Sequence, residues 1–282
     1  MVYFGPMRYI LMPLKVILTF LMIFLGILSI YIGKPIWGAD RVRNFMYNRT
    51  RAIIFFILGV RIKGERFDHI EPGSLVMGNH RSYLDALLVP YHQWLNMVGR
   101  SDVRKWPIIG WAAHNLGAVW VTRESRHSRA QAKVQIVDAL KSGRSIAVFP
   151  EGSSWEGPDV MPLRPGLFKE AAKSQIPIYL WALHVEDGRL AFPKGVNFMK
   201  HLLTFACLPK ADIYVKIHKG GPLYFNTWQE GVNYATEWWN TTLRELEAEH
   251  PITHKGYWKD PRLDRYKRDG SIRMDAAGHV IN

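Results

Sequence analysis

The chain has 282 residues, 48% of them hydrophobic and 22% charged. That composition suits one α/β domain with appendages and excludes a disordered polymer. A formal net charge of +13 calls for an anionic partner, and the absence of zinc-finger spacing, an RNP-like motif or a clear helix-turn-helix excludes nucleic acid in favour of anionic lipid or an acidic substrate.

In chain order, the first element is apolar. Val16 to Ile32 reads VILTFLMIFLGILSIYI, without a charge. It sits at the short end of the roughly 20 residues a spanning helix needs. The run is long for a signal-peptide core, and Gly33–Trp37 carries no small-x-small cleavage site. Residues 1–60 are therefore expected to be a membrane-anchoring helical segment. Lys34, Arg41, Arg43, Arg49 and Arg51 follow the run. By the positive-inside rule they put that flank in the cytoplasm, where they suit anionic membrane lipids. The sequons at Asn48 and Asn240 would then be silent. Ala52 to Val60 (AIIFFILGV) is too short to span. It reads as the end of a second helix from about Val42, either lying in the interface or buried as core.

Residues 61–225 alternate strand-length apolar runs with helical stretches. Strands are predicted at Leu75–Met77, Leu95–Val98, Ala118–Val121, Ser145–Phe149, Ile176–Val185 and Ile213–Ile217. Helices are predicted at Arg126–Ser142, terminated by Gly143, and at Leu167–Lys173. The alternation predicts an α/β fold with a mixed, largely parallel central sheet flanked by helices. Residues 226–282 comprise an amphipathic helix, Thr227–Glu249, and a polar, basic tail from Pro251. Cys207, the one cysteine, allows no internal disulfide and is expected to be a buried apolar side chain.

Three clusters carry chemistry. Asn79-His80-Arg81-Ser82-Tyr83-Leu84-Asp85 follows the first of these predicted strands. If the chain turns into a helix after His80, Asp85 reaches back to the imidazole. A carboxylate on one ring nitrogen leaves the other free to take a proton from a hydroxyl. The same spacing also serves a purely structural pair. Phe149-Pro150-Glu151-Gly152-Ser153-Ser154 follows another strand. It reads as an anion-binding loop or as an ordinary loop with Glu151 in a surface ion pair. Arg100, then Pro107-Ile108-Ile109-Gly110, then Arg123 after AVWV place basic residues at strand ends, as phosphate or carboxylate ligands or as solvated charges. No G-x-S-x-G nucleophile elbow occurs, so a serine hydrolase is disfavoured.

In this order, over about Gly78 to Leu180, the clusters resemble the glycerolipid acyltransferase family that includes bacterial 1-acyl-glycerol-3-phosphate acyltransferases. His80–Asp85 is similar to its His-x4-Asp block. Arg100, Pro107, Gly110 and Arg123 match its second block, with Arg100 where lysine is common. Phe149–Gly152 matches Phe-Pro-Glu-Gly, and Ile176-Pro177 the fourth block. The resemblance implies His80 and Asp85 as the catalytic pair, and Asn79, Arg100, Arg123, Glu151, Gly152 and Ser153 as substrate-binding residues. It implies acyl-CoA or acyl carrier protein as co-substrate, no cofactor or metal, and a lysophospholipid acceptor, foremost 1-acyl-glycerol-3-phosphate. The catalytic domain would face the cytoplasm from the inner membrane. One departure bears on the acceptor: the Thr-Arg that usually follows Glu-Gly is Ser153-Ser154 here, a variant seen in relatives acting on other lysolipids such as lyso-ornithine lipid. A non-catalytic protein binding anionic membranes is the alternative of another class.

Overall fold

Two long helices open the chain: α1, Met7–Trp37, and α2, Ala39–Leu58. α1 is apolar on both faces. Val16, Ile27 and Ile30 are buried, whereas Ile17, Leu21, Phe24, Leu25 and Leu28 are exposed. By length and composition, Leu11–Trp37 is able to cross a membrane. The computed structural model describes residues 7–122, 125–155, 157–192 and 196–254.

α2 ends where the sequence looked continuous. Gly59 adopts a left-handed conformation (φ 72°), and its N–H caps the carbonyls of Phe55 and Phe56. A side chain there would approach the Pro209 carbonyl oxygen to 2.9 Å, so glycine is required. The apolar run is thus divided. Ala52–Leu58 finishes α2, and Val60 opens a strand, β1 (Val60–Gly64), that the sequence reading missed.

The remaining strands are β2 (Leu75–Gly78), β3 (Asn96–Arg100), β4 (Val119–Val121), β5 (Ile146–Val148), β6 (Ile178–Val185) and β7 (Ala211–Ile217). Their order is β1-β7-β6-β2-β5-β3-β4. Every pairing is parallel except β6 with β7. The expected mixed, largely parallel sheet flanked by helices is therefore present.

Side-chain alternation sorts the core into two layers. Tyr179, Trp181 and Leu183 of β6 join α2 and Phe205 on one face. Ile178, Leu180 and Ala182 join Phe168 and Trp239 on the other. The helices after α2 are α3 (Asp85–Leu88), α4 (Ile109–Asn115), α5 (Arg126–Lys141), α6 (Gly166–Ser174), α7 (Phe198–Ala206) and α8 (Trp228–Glu249). α3 is the helix that the reach of Asp85 back to His80 required; α4 and α7 were not foreseen, because they are short and tertiary contacts stabilise them. α8 is capped by Thr227, whose side chain accepts the Glu230 N–H at 3.2 Å. Its Trp239 indole donates to the Trp181 carbonyl at 2.8 Å.

α1 lies along the domain, touching α2, α4 and α7. Trp111 of α4 stacks on Tyr31 with ring centroids 5.9 Å apart. Cys207 caps α7 and is half-buried, less so than expected, with its thiol 3.1 Å from the Met12 sulfur. The tail beyond His254 lies outside the described residues.

Candidate active site

β2 ends at Gly78. A Cβ there would meet the Trp181 ring at 2.4 Å, so the strand can pass β6 this closely only as glycine. Asn79 is fully buried. Its amide nitrogen donates to the Leu183 carbonyl at 2.9 Å, and its oxygen accepts the Leu183 N–H at 2.7 Å. These bonds extend the β2–β6 ladder with a side chain and fix the turn that presents His80.

Asp85 starts α3 and is buried. Its Oδ2 accepts the N–H groups of Arg81 (2.5 Å) and Ser82 (2.8 Å), and lies 2.7 Å from His80 Nδ1. No donor among the described residues reaches Oδ1. A carboxylate only accepts, so Nδ1 carries the ring proton and Nε2 is the acceptor. Phe149 stacks on the imidazole, ring centroids 4.5 Å apart and 17° from coplanar. The imidazole is thus held by its edge and by its face.

The loop after β5 grips the backbone of His80. Glu151 is 2% exposed. Its Oε1 accepts the His80 N–H at 2.6 Å, and its Oε2 the Met161 N–H at 2.8 Å. The Trp155 N–H donates to the His80 carbonyl at 2.8 Å, and Arg81 Nη1 donates to the Trp155 carbonyl at 2.9 Å. Burial pushes the Glu151 carboxyl above the usual range, and the Arg81 charge opposes that shift. Glu151 is therefore neither a surface ion pair nor an open ligand; both its oxygens serve the backbone. Gly152 takes φ 73°, and a Cβ there would strike the Arg164 side chain.

A cavity of about 650 Å³ opens on this constellation. α1 and α2 form one wall; α3, α4 and β3 form another. His80 and Ser153 line it, as do Arg100 and Asp102. Arg100 Nε and Nη2 each bond Asp102, at 2.9 and 2.8 Å. Thus His80, Asp85, Asn79, Glu151 and Gly152 come together, with Asn79 and Glu151 behind the cavity rather than in it. Arg123 lies outside the described residues. Ser154 donates to the Phe192 carbonyl.

The sequence reading did not single out Asp102, Trp155 or Tyr83. Tyr83 lines the cavity and bonds His201 Nδ1 at 3.1 Å, while His201 Nε2 bonds the Ala191 carbonyl at 2.9 Å. Burial raises the Tyr83 hydroxyl's pKa and lowers that of His201, so both stay neutral. Position inside the His-x4-Asp stretch was the available signal for Tyr83. Trp155 acts through its backbone, which no side-chain pattern reveals.

Comparison with known proteins bears on the same residues. Residues 59–182 match the family model described as Acyltransferase. A lyso-ornithine lipid O-acyltransferase of Rhodobacter capsulatus is 35% identical over 114 residues, 40% of each chain. A 1-acyl-sn-glycerol-3-phosphate acyltransferase of Neisseria gonorrhoeae is 26% identical over 41% of this chain and 45% of that protein. The chain thus spans less than half the length of these two relatives. A lyso-ornithine lipid O-acyltransferase of Pseudomonas aeruginosa is 25% identical over 68% of this chain and 80% of that protein. The crystal structure of a 1-acyl-sn-glycerophosphate acyltransferase from Thermotoga maritima superposes with a TM-score of 0.67 at 20% identity, covering 86% of this chain and 96% of the other. That likeness concerns the fold.

Proposed function

Since residues 59–182 match the acyltransferase family model, we propose that the protein transfers a fatty acyl chain from a thioester to the free hydroxyl of a lysolipid, with His80 as general base. The observation that carries the reading is the 2.7 Å contact between His80 Nδ1 and Asp85 at the edge of a largely apolar cavity. The acceptor hydroxyl gives its proton to Nε2 as its oxygen bonds to the thioester carbonyl carbon. The tetrahedral intermediate then collapses, the carbon–sulfur bond breaks, and the imidazolium returns the proton to the leaving thiolate. Asp85 fixes the tautomer and stabilises the imidazolium. No acyl-enzyme is required.

The acyl donor is acyl-CoA or an acyl carrier protein. The acceptor read first from the sequence is 1-acyl-glycerol-3-phosphate, giving phosphatidic acid. Lyso-ornithine lipid is the second reading, favoured by Ser154 standing where a guanidinium would fork a phosphate. α1 and α2 would seat the cavity at an anionic membrane, with the domain on the cytoplasmic side. Here Asn79 and Glu151 act as positioning residues for His80. A panel of lysolipids, supplied with labelled acyl-CoA and acyl carrier protein thioesters, tests the reading. Esterification of a lysolipid supports it. Release of free fatty acid with no acceptor present would favour a hydrolase instead.

A further inference from the structure

Resting on that acyl-transfer reading, we infer that Arg100 and Asp102 together read the acceptor headgroup, selecting a lysolipid that carries an ammonium as well as an acid. β2, β5 and β3 are neighbours and run parallel, so His80, the Glu151 loop and Arg100 leave the sheet at the same edge. Two strand spacings put β3 roughly 10 Å from β2. Arg100 and Asp102 line the same cavity as His80. This suits an acceptor whose hydroxyl lies at His80 while its headgroup reaches the end of β3.

The pair is built for two charges. Arg100 uses Nε and Nη2 on Asp102, which leaves the two N–H groups of Nη1 for an incoming acid. Asp102 remains 54% exposed, so its outer lone pairs face solvent and accept an ammonium. A headgroup with both groups closes a four-member ring of alternating charge.

The same pair disfavours a phosphate monoester. Among the described lining residues, those charged at neutral pH are Arg51, Arg100 and Asp102. Arg51 is engaged on the α2 side, with Asn48, the Val89 carbonyl and the Tyr47 ring. Asp102 neutralises Arg100, so a phosphate approaching this pair meets a carboxylate beside the guanidinium. Phosphate monoesters carry about −1.5 to −2 at neutral pH, and like charges brought together without compensation are costly. Ser154 adds no cation, and its hydroxyl is directed to the Phe192 carbonyl.

The test compares kcat/KM of the full chain, in mixed micelles, for two lysolipids of matched acyl length. One is lyso-ornithine lipid, zwitterionic; the other is 1-acyl-glycerol-3-phosphate. Wild type is expected to prefer the first. Asp102→Asn should lower kcat/KM for the zwitterion about tenfold, mainly through KM, without lowering it for the phosphate. Asp102→Lys should reverse the preference. Asp102 is exposed, so both variants should fold; thermal melting checks this. An unchanged acceptor ratio in both variants reduces the pair to a strand-end ion pair and overturns this inference alone. Failure of wild type to acylate any lysolipid overturns the acyl-transfer reading beneath it.

Discussion

The carboxylate of Glu151 accepts the backbone N–H of His80 at 2.6 Å, so a residue after β5 fixes where the chain leaves β2. Trp155 of the same loop takes the His80 carbonyl, and Asp85 takes the ring. Imidazole position is thus set from three directions by residues that do not line the cavity.

Removing the base itself should be the sharpest loss. A general base contributes about 10²- to 10⁴-fold, so His80→Ala should reduce acyl transfer to near background. The His80 side chain is 19% exposed, and melting temperature should change little. Purified His80→Ala protein that kept most of its turnover would falsify the mechanism.

Glu151→Gln probes positioning. A glutamine offers one acceptor oxygen where two backbone N–H groups need one each. One buried N–H loses its partner, at a cost of about 1–3 kcal/mol. kcat should drop while acceptor KM stays near wild type. A rise in KM alone would mean that Glu151 contacts the headgroup after all.

For Asn79→Ala, stability should suffer first. The substitution leaves the Leu183 N–H and carbonyl without their side-chain partner in a fully buried place. The expected loss is about 2–4 kcal/mol, from one to two orphaned groups. Urea titration measures it; a midpoint equal to wild type would refute the ladder-extension role.

Acid stability should depend on Asp212. Bonding to Arg61 and Lys63 holds its carboxyl well below the ordinary value of 3.8, at about 2. A depressed carboxylate pKa stabilises the fold above pH 3.8 and ceases to do so as pH falls toward 2. Arg61 and Asp212 face each other across the β1–β7 pairing. Because Arg61 is half exposed, solvent screens the pair, and about 1–2 kcal/mol is expected at neutral pH. Asp212→Asn should lower neutral stability by that amount and flatten unfolding between pH 4 and 2. A mutant whose acid-unfolding curve kept the wild-type slope in that window would contradict this.

Membrane attachment is best tested without deleting α1, because Val16, Ile27 and Ile30 belong to the buried interior. Replacing exposed Leu21, Leu25 and Leu28 by serine keeps that interior. Flotation with anionic vesicles should fall markedly while the melting temperature holds. Undiminished flotation would place the anchor elsewhere.

The residues of the candidate site were legible in order: Asn79-His80 to Asp85, and Phe149 to Gly152. So was the sheet class, because strand-length apolar runs alternated with helical periods. The end of α2 was hidden, since Gly59 interrupts a run whose side chains are apolar throughout. Loop-borne carboxylates such as Glu151 looked exposed, because one-dimensional pattern carries no information about what covers a residue.

Side-chain chemistry and spacing along the chain by themselves put an imidazole and a carboxylate within reach of each other beyond a strand, since a helical turn after His80 brings positions five apart together. Only tertiary structure decided that Glu151 faces the backbone of His80 and that α1 and α2 wall the cavity. Those pairings join elements distant in sequence, and their geometry is set by how the sheet edge and the helices close on one another.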